Sequence, residues 1–170
     1  MAKKVTAKTL PMRALEEKGV TYQTLSQSRK QYTALGVAED LGVPVAQVVK
    51  AMLVTHSEGH RGAGGSAFAL VVIPGDRRLS LKKVGPALGD KNVSLAPERD
   101  VERVTGFQVG AVSALGLRRE DVPTYLDHRI LDLDQVVLSS GRPDVGLALS
   151  PEGLLQAANN PFTGDFCEDE

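Results

Sequence analysis

Tryptophan is absent from this 170-residue chain, and Tyr and Phe together bring the aromatic share to only 4%. Aliphatic side chains must therefore fill the core, and base stacking on aromatic platforms is not expected to be the main activity. The single cysteine, Cys167, excludes a disulfide framework, and no Cys/His pattern has zinc spacing. No window approaches 18 apolar residues, and the basic start MAKKVTAKTL has no apolar run behind it, so neither a membrane span nor a signal peptide is expected. These absences point to a reducing, cytoplasmic setting without membrane or metal. An excess of charge is lacking as well: 20 basic and 21 acidic residues leave a formal charge of −1, which argues against a protein that relies on phosphate-backbone affinity. A nucleic-acid contact then needs a local patch, for which Arg77 and Arg78, Lys82 and Lys83, and Arg118 and Arg119 are the candidates.

What is present is an ordinary globular composition, 42% hydrophobic and 24% charged, in a chain long enough to bury about 70% of its extended surface without a staple. Helical spacing and stop signals predict a helix from Thr9 to Lys18 before Gly19 and a second from Thr33 to Leu41 before Gly42, with one more turn opened by Pro44. A third is capped by Ser80, with Pro86 shortening it; a fourth opens on Pro97 and a fifth is capped by Ser150. Strands are predicted in VTYQTL, KAMLVT, AFALVVI, NVSLA, TYLD, DQVVLSS and GLALS, with a Gly/Ser-rich loop, HSEGHRGAGGS, between the second and third and a frayed acidic end, CEDE. The expected architecture is α/β: a single mixed sheet of six or seven short strands surrounded by four or five helices, forming one domain over residues 1–170.

Within QVVKAMLV, residues 47–54, Lys50 interrupts an apolar run. Alternation puts Val48, Lys50, Met52 and Val54 on one face of a strand and Val49, Ala51, Leu53 and Thr55 on the other. Both faces are apolar, so the strand is central, and the amine either snorkels at its end or faces a lined cleft. In TGFQVGAVSALG, Gly106, Gly110 and Gly116 match neither a dinucleotide fingerprint nor a phosphate loop. They permit a tight turn, a bulge, or backbone N–H groups offered to a carbonyl or carboxylate. SSGRPD, with Ser139 and Gly141, is either a plain turn or a second pocket wall. His56, His60 and His128 form no triad with a serine, and the glycines around His56 and His60 argue against a zinc helix. No cofactor motif is found.

Taken in order, TLPMRALEEKGVTY, GVAEDLG, KAMLV, VVIPGDRRLSLKKVGPALGDKNVSLA, TGFQVGAVSALG, TYLD and VLSSG resemble the YbaK / proline-tRNA-synthetase-associated editing domain family across nearly the whole chain. Lys50 takes the place of that family's functional lysine. The resemblance implies a trans-editing deacylase that removes misattached Cys or Ala from tRNA(Pro) or a related tRNA, with a mischarged aminoacyl-tRNA and a prolyl-tRNA synthetase as partners. It assigns Lys50 the catalytic electrostatic role, and it places Gly110, Ala111, Ser113, Ala114, Asp127, Ser139 and Gly141 around the substrate. Three departures accompany it: Ala114 stands where the family has Pro, Gln27 where cysteinyl-tRNA deacylases carry Tyr, and Gly146 and Ala148 where the final strand often has an acid. A non-catalytic module of the same fold, docking on a synthetase or an aminoacyl-tRNA, is the alternative from another class, and a small-molecule binding protein a third.

Overall fold

A computed structural model of the chain describes residues 7–28, 30–158 and 160–170; the basic start at 1–6 lies outside them. The α/β class holds, but the strands are divided between two sheets rather than gathered into one. A five-stranded sheet has the order β4 (Ser94–Leu95), β2 (Lys50–Thr55), β3 (Phe68–Ile73), β5 (Thr124–Asp127), β8 (Phe162–Gly164). A three-stranded sheet has the order β1 (Gln23–Ser26), β7 (Val145–Leu149), β6 (Val136–Ser139). In the larger sheet β2 pairs antiparallel with β3 and β4, whereas β3–β5 and β5–β8 are parallel. The smaller sheet is antiparallel throughout. A parallel bridge between Val48 and Val137, with the Val49 amide donating to the Val137 carbonyl at 3.0 Å, joins the two sheets at the start of β2.

The alternation read from the sequence holds in β2. Val49, Ala51 and Leu53 pack into a core with Leu70, Val72 and Leu126, while Met52 and Val54 face a second core with Val71, Val84 and Leu88. β3 is buried at all six positions, as a strand sandwiched between two cores must be. Each such aliphatic side chain contributes about 1.5–3 kcal/mol of transfer free energy.

Among the described residues five α-helices cover these cores: α1 (Leu10–Glu17), α2 (Ala34–Leu41), α3 (Leu81–Leu88), α4 (Glu98–Thr105) and α5 (Pro151–Ala157). The Thr33, Ser80 and Ser150 hydroxyls accept from the amides of Gly36, Lys83 and Gly153, so all three act as N-caps. α3 runs past Pro86 to Leu88 instead of stopping before it, and Gly89 ends it in the left-handed region. Two further features depart from expectation. β8 is an added strand, and the acidic end does not begin to fray at Cys167, which is fully buried and bridges antiparallel to Leu79. Among the described residues no helix is long and apolar enough to cross a membrane.

Candidate functional site

A cavity of about 570 Å³ opens at the seam of the two sheets, and Lys50, Gly110, Ala111 and Ser139 all line it. Lys50 reaches it because it is the first residue of β2, paired with Ile73 at the end of β3. Beyond Ile73 the chain turns through Pro74 and Gly75, and the Lys50 ammonium donates to the carbonyl oxygen of Arg77 in that turn. The turn fits only because residue 75 lacks a side chain: a Cβ there would lie 2.2 Å from the Val48 carbonyl oxygen and 2.3 Å from that of Val45. Lys50 is half-buried. Burial pushes its pKa below the ordinary lysine value, and the nearby Asp76 carboxylate offsets part of that shift. The site thus holds a cation whose hydration is incomplete, which strengthens its pull on an anion.

The opposite wall comes from the glycine-punctuated segment and the end of β6. Ser139 Oγ donates to the Ala111 carbonyl at 2.9 Å and accepts from the Gly141 amide at 3.0 Å. Its hydroxyl therefore fastens the two parts of this wall together. Residues 108–111 form a turn closed by the Ala111 amide on the Gln108 carbonyl at 2.9 Å, with Gly110 at φ +87°. The Ala111 N–H is thus committed to the turn, whereas the expectation offered this segment's amides to substrate.

The other sequence-derived candidates lie off the cavity wall. Ser113 is fully buried and accepts from the Leu115 amide at 3.3 Å, and Ala114 packs in the core among Leu115 and its neighbours. Gly141 sits behind Ser139 at φ +94°, where a Cβ would meet the Phe107 ring at 2.7 Å. Asp127 faces the C-terminal segment: it accepts from the Phe166 amide at 2.8 Å, the Cys167 thiol at 3.2 Å and the Arg129 guanidinium at 3.1 Å. Burial alone would raise its pKa, but these bonds and that of the Arg129 amide outweigh it and hold the carboxyl below its ordinary range. Burial and the Asp127 carboxylate push the Cys167 thiol up to about 12, so it stays protonated as a donor. Asp144, beside the cavity, is bound to Arg142 at 2.9 Å.

Residues the sequence did not single out complete the wall, among them Tyr32, Leu35, Met52, Val109 and Arg142. Gln27 and Gly146, two of the departures from the resemblance, also line the cavity, and the Gln27 Oε1 is buried without a hydrogen-bond partner. In each of the three basic pairs one member is ion-paired. Lys83 bonds Asp165 and Asp169 at 2.8 and 2.7 Å, Arg77 meets Glu170 at 3.2 Å, and Arg119 meets Asp121 at 2.8 Å. His56 and His60 join a cluster around Asp90 and Ser57 that pins the 56–66 loop, with His56 Nδ1 3.2 Å from Asp90 and His60 Nδ1 3.0 Å from Ser57 Oγ. Among the described residues no group of three or more His, Cys, Asp or Glu is arranged to hold a metal ion.

Comparison with known proteins places these features in context. The model of the aminoacyl-tRNA editing domain matches residues 29–157. The chain is 31% identical over 165 residues to EbsC of Enterococcus faecalis, a candidate Cys-tRNA(Pro)/Cys-tRNA(Cys) deacylase; the match covers 95% of this chain and 96% of that protein. A proline–tRNA ligase of Fervidobacterium nodosum is 30% identical over 112 residues, 66% of this chain but 18% of the ligase. A crystal structure described as a candidate trans-editing enzyme for prolyl-tRNA synthetase has a TM-score of 0.81 at 25% identity, covering 94% of this chain and 96% of that one.

Proposed function

The chain belongs to the aminoacyl-tRNA editing domain family, and from that premise we propose that it is a trans-editing deacylase, with residues 1–170 forming one editing domain. It clears a small misattached amino acid, Cys or Ala, from tRNA(Pro) or a related tRNA. The observation that carries this reading is the Lys50 ammonium on the wall of a largely aliphatic cavity faced by Gly110 and Ser139. An aminoacyl ester is already activated, so the site has only to hold the 3′ end, select the side chain and stabilise negative charge on the attacked carbonyl. Lys50 meets the phosphate of the terminal nucleotide or the developing oxyanion, and the Gly110 backbone and Ser139 shape the space around the acyl group.

No protein nucleophile is required. Water attacks the ester carbon, the C–O bond to the ribose breaks, and the ribose oxygen leaves with the proton that water gives up. With cysteine the substrate's own sulfur attacks instead: a C–S bond forms, the same C–O bond breaks, and the thiol proton ends on the ribose oxygen. The working location is the cytoplasm, beside a prolyl-tRNA synthetase that supplies the mischarged tRNA.

Incubation with Cys-, Ala- and Pro-charged tRNA, following release of the amino acid, tests the reading. Release of Cys or Ala with Pro spared is the expected result. Tight binding of all three without turnover identifies a non-catalytic module and overturns it.

A further inference from the structure

Exposed apolar surface is concentrated around the mouth of one cavity. Of the eight large hydrophobic residues exposed among the described residues, four line it: Tyr32 at 47%, Leu35 at 58%, Leu95 at 49% and Val109 at 49%. Apolar side chains gathered at a cavity mouth are covered when its ligand arrives. Tyr32 is the one aromatic residue among them, and its position is fixed from two sides. The Gln31 amide donates to the Pro143 carbonyl at 2.8 Å, and Thr33 caps α2.

Its seat is the backbone of Gly110. A Cβ at position 110 would lie 2.9 Å from Tyr32 Cβ and 3.2 Å from Cδ1, so the glycine is what lets the tyrosine lie close against the turn. One side of the residue packs there and nearly half of it stays open. The cavity exceeds what a small amino acid fills, and Lys50 supplies a cation for a phosphate on another of its walls.

Resting on the deacylase reading above, we propose that Tyr32 is the platform on which the base of the 3′-terminal nucleotide stacks, with Leu35 and Val109 as its apolar border. A chain poor in aromatics needs only one for one base, and every base presents a π-face to it. The role of Gly110 changes accordingly: its missing side chain makes room for the platform.

The test measures binding and turnover separately. Tyr32→Leu, Tyr32→Phe and the unaltered protein are titrated with adenosine 5′-monophosphate and with ribose 5-phosphate, and thermal melts check the fold. The unaltered protein binds the nucleotide more tightly than the sugar phosphate. Tyr32→Leu weakens the nucleotide roughly tenfold or more and leaves the sugar phosphate unchanged, and Tyr32→Phe retains binding. In deacylation, Tyr32→Leu raises KM on a minihelix ending in adenosine but not on one whose last nucleotide lacks its base, with kcat unchanged. Nucleotide affinity within twofold in Tyr32→Leu, or equal loss on both minihelices, overturns the proposal. So does a variant that keeps nucleotide binding and loses only association with a prolyl-tRNA synthetase, since the rim then serves a protein. Failure of the unaltered protein to release any amino acid, with Tyr32-dependent nucleotide binding intact, defeats the deacylase reading and leaves the platform standing.

Discussion

Replacing Lys50 by methionine separates the charge at the site from the packing that carries it. The unbranched side chain keeps the apolar stem against the cavity wall and removes the ammonium. Two consequences for stability oppose each other. The bond to the Arg77 carbonyl is lost, and a bond from a charged donor contributes about 1.5–3 kcal/mol. The cost of holding a half-hydrated cation disappears with it, and at the cavity mouth water replaces the lost donor. The net change in unfolding free energy is expected within about 1 kcal/mol. Catalysis has no such compensation. Loss of one aligned donor to a developing negative charge slows the reaction by about 10²-fold or more, equivalent to about 2.7 kcal/mol. Single-turnover deacylation at saturating protein, beside a denaturant titration, reads both quantities. A Lys50→Met protein of unchanged stability that deacylates within threefold of the original would refute the electrostatic role and with it the mechanism.

The depressed pKa of Lys50 fixes the sign of an alkaline effect: the rate falls as pH rises through a midpoint below the ordinary lysine value of 10.5, and a pH–rate profile without that limb contradicts the assignment. Gly75→Ala forces a methyl group onto two carbonyl oxygens and is expected to cost about 1–3 kcal/mol in chemical denaturation, together with lowered activity, because the same turn holds the partner of Lys50. Gln27→Met removes a buried oxygen that has no partner, so it leaves stability unchanged or raises it by up to about 1 kcal/mol, measured by the same titration. Lys83 is already committed to two carboxylates, so Lys83→Ala leaves tRNA affinity within about twofold in filter binding at moderate salt.

The sequence exposed the cation because charge inside an apolar run is costly enough to require a cause, and β2 and β3 were legible because short, mostly apolar runs leave few alternatives. Helix boundaries were equally accessible, since Thr33, Ser80 and Ser150 act through amides only three residues away. What stayed hidden depends on partners far along the chain. The division into two sheets turns on whether β6 pairs with β7 or joins the strands around β3, a choice no local pattern records. β8 is three residues long, carries a glycine and has no alternation to announce it. Asp127 was grouped with the substrate by the resemblance, yet its partners Phe166 and Cys167 lie about forty positions downstream and hold it to the C-terminal segment. Tyr32 sits in a polar stretch without periodicity, and only Gly110, 78 positions later, shows why it faces a cavity.

The cation stands on the more extensively bonded part of the fold: β2 is hydrogen-bonded on both edges at its far end, and its residues pack into two cores. Part of the surface facing it belongs to connecting segments, Gln27 with residues 31–33 before α2 and the turn around Gly110, held by a handful of bonds such as those to Pro143, Asp144 and Ser139. A substitution in those segments changes the shape and polarity of the cavity without shifting Lys50, because none of the bonds that position Lys50 runs through them. Gln27 and Tyr32 are on this adjustable side, whereas Ala114 is in the core. Selectivity among small amino acids is therefore expected to respond to changes at Gln27, on the wall, and a change at Ala114 acts first on stability.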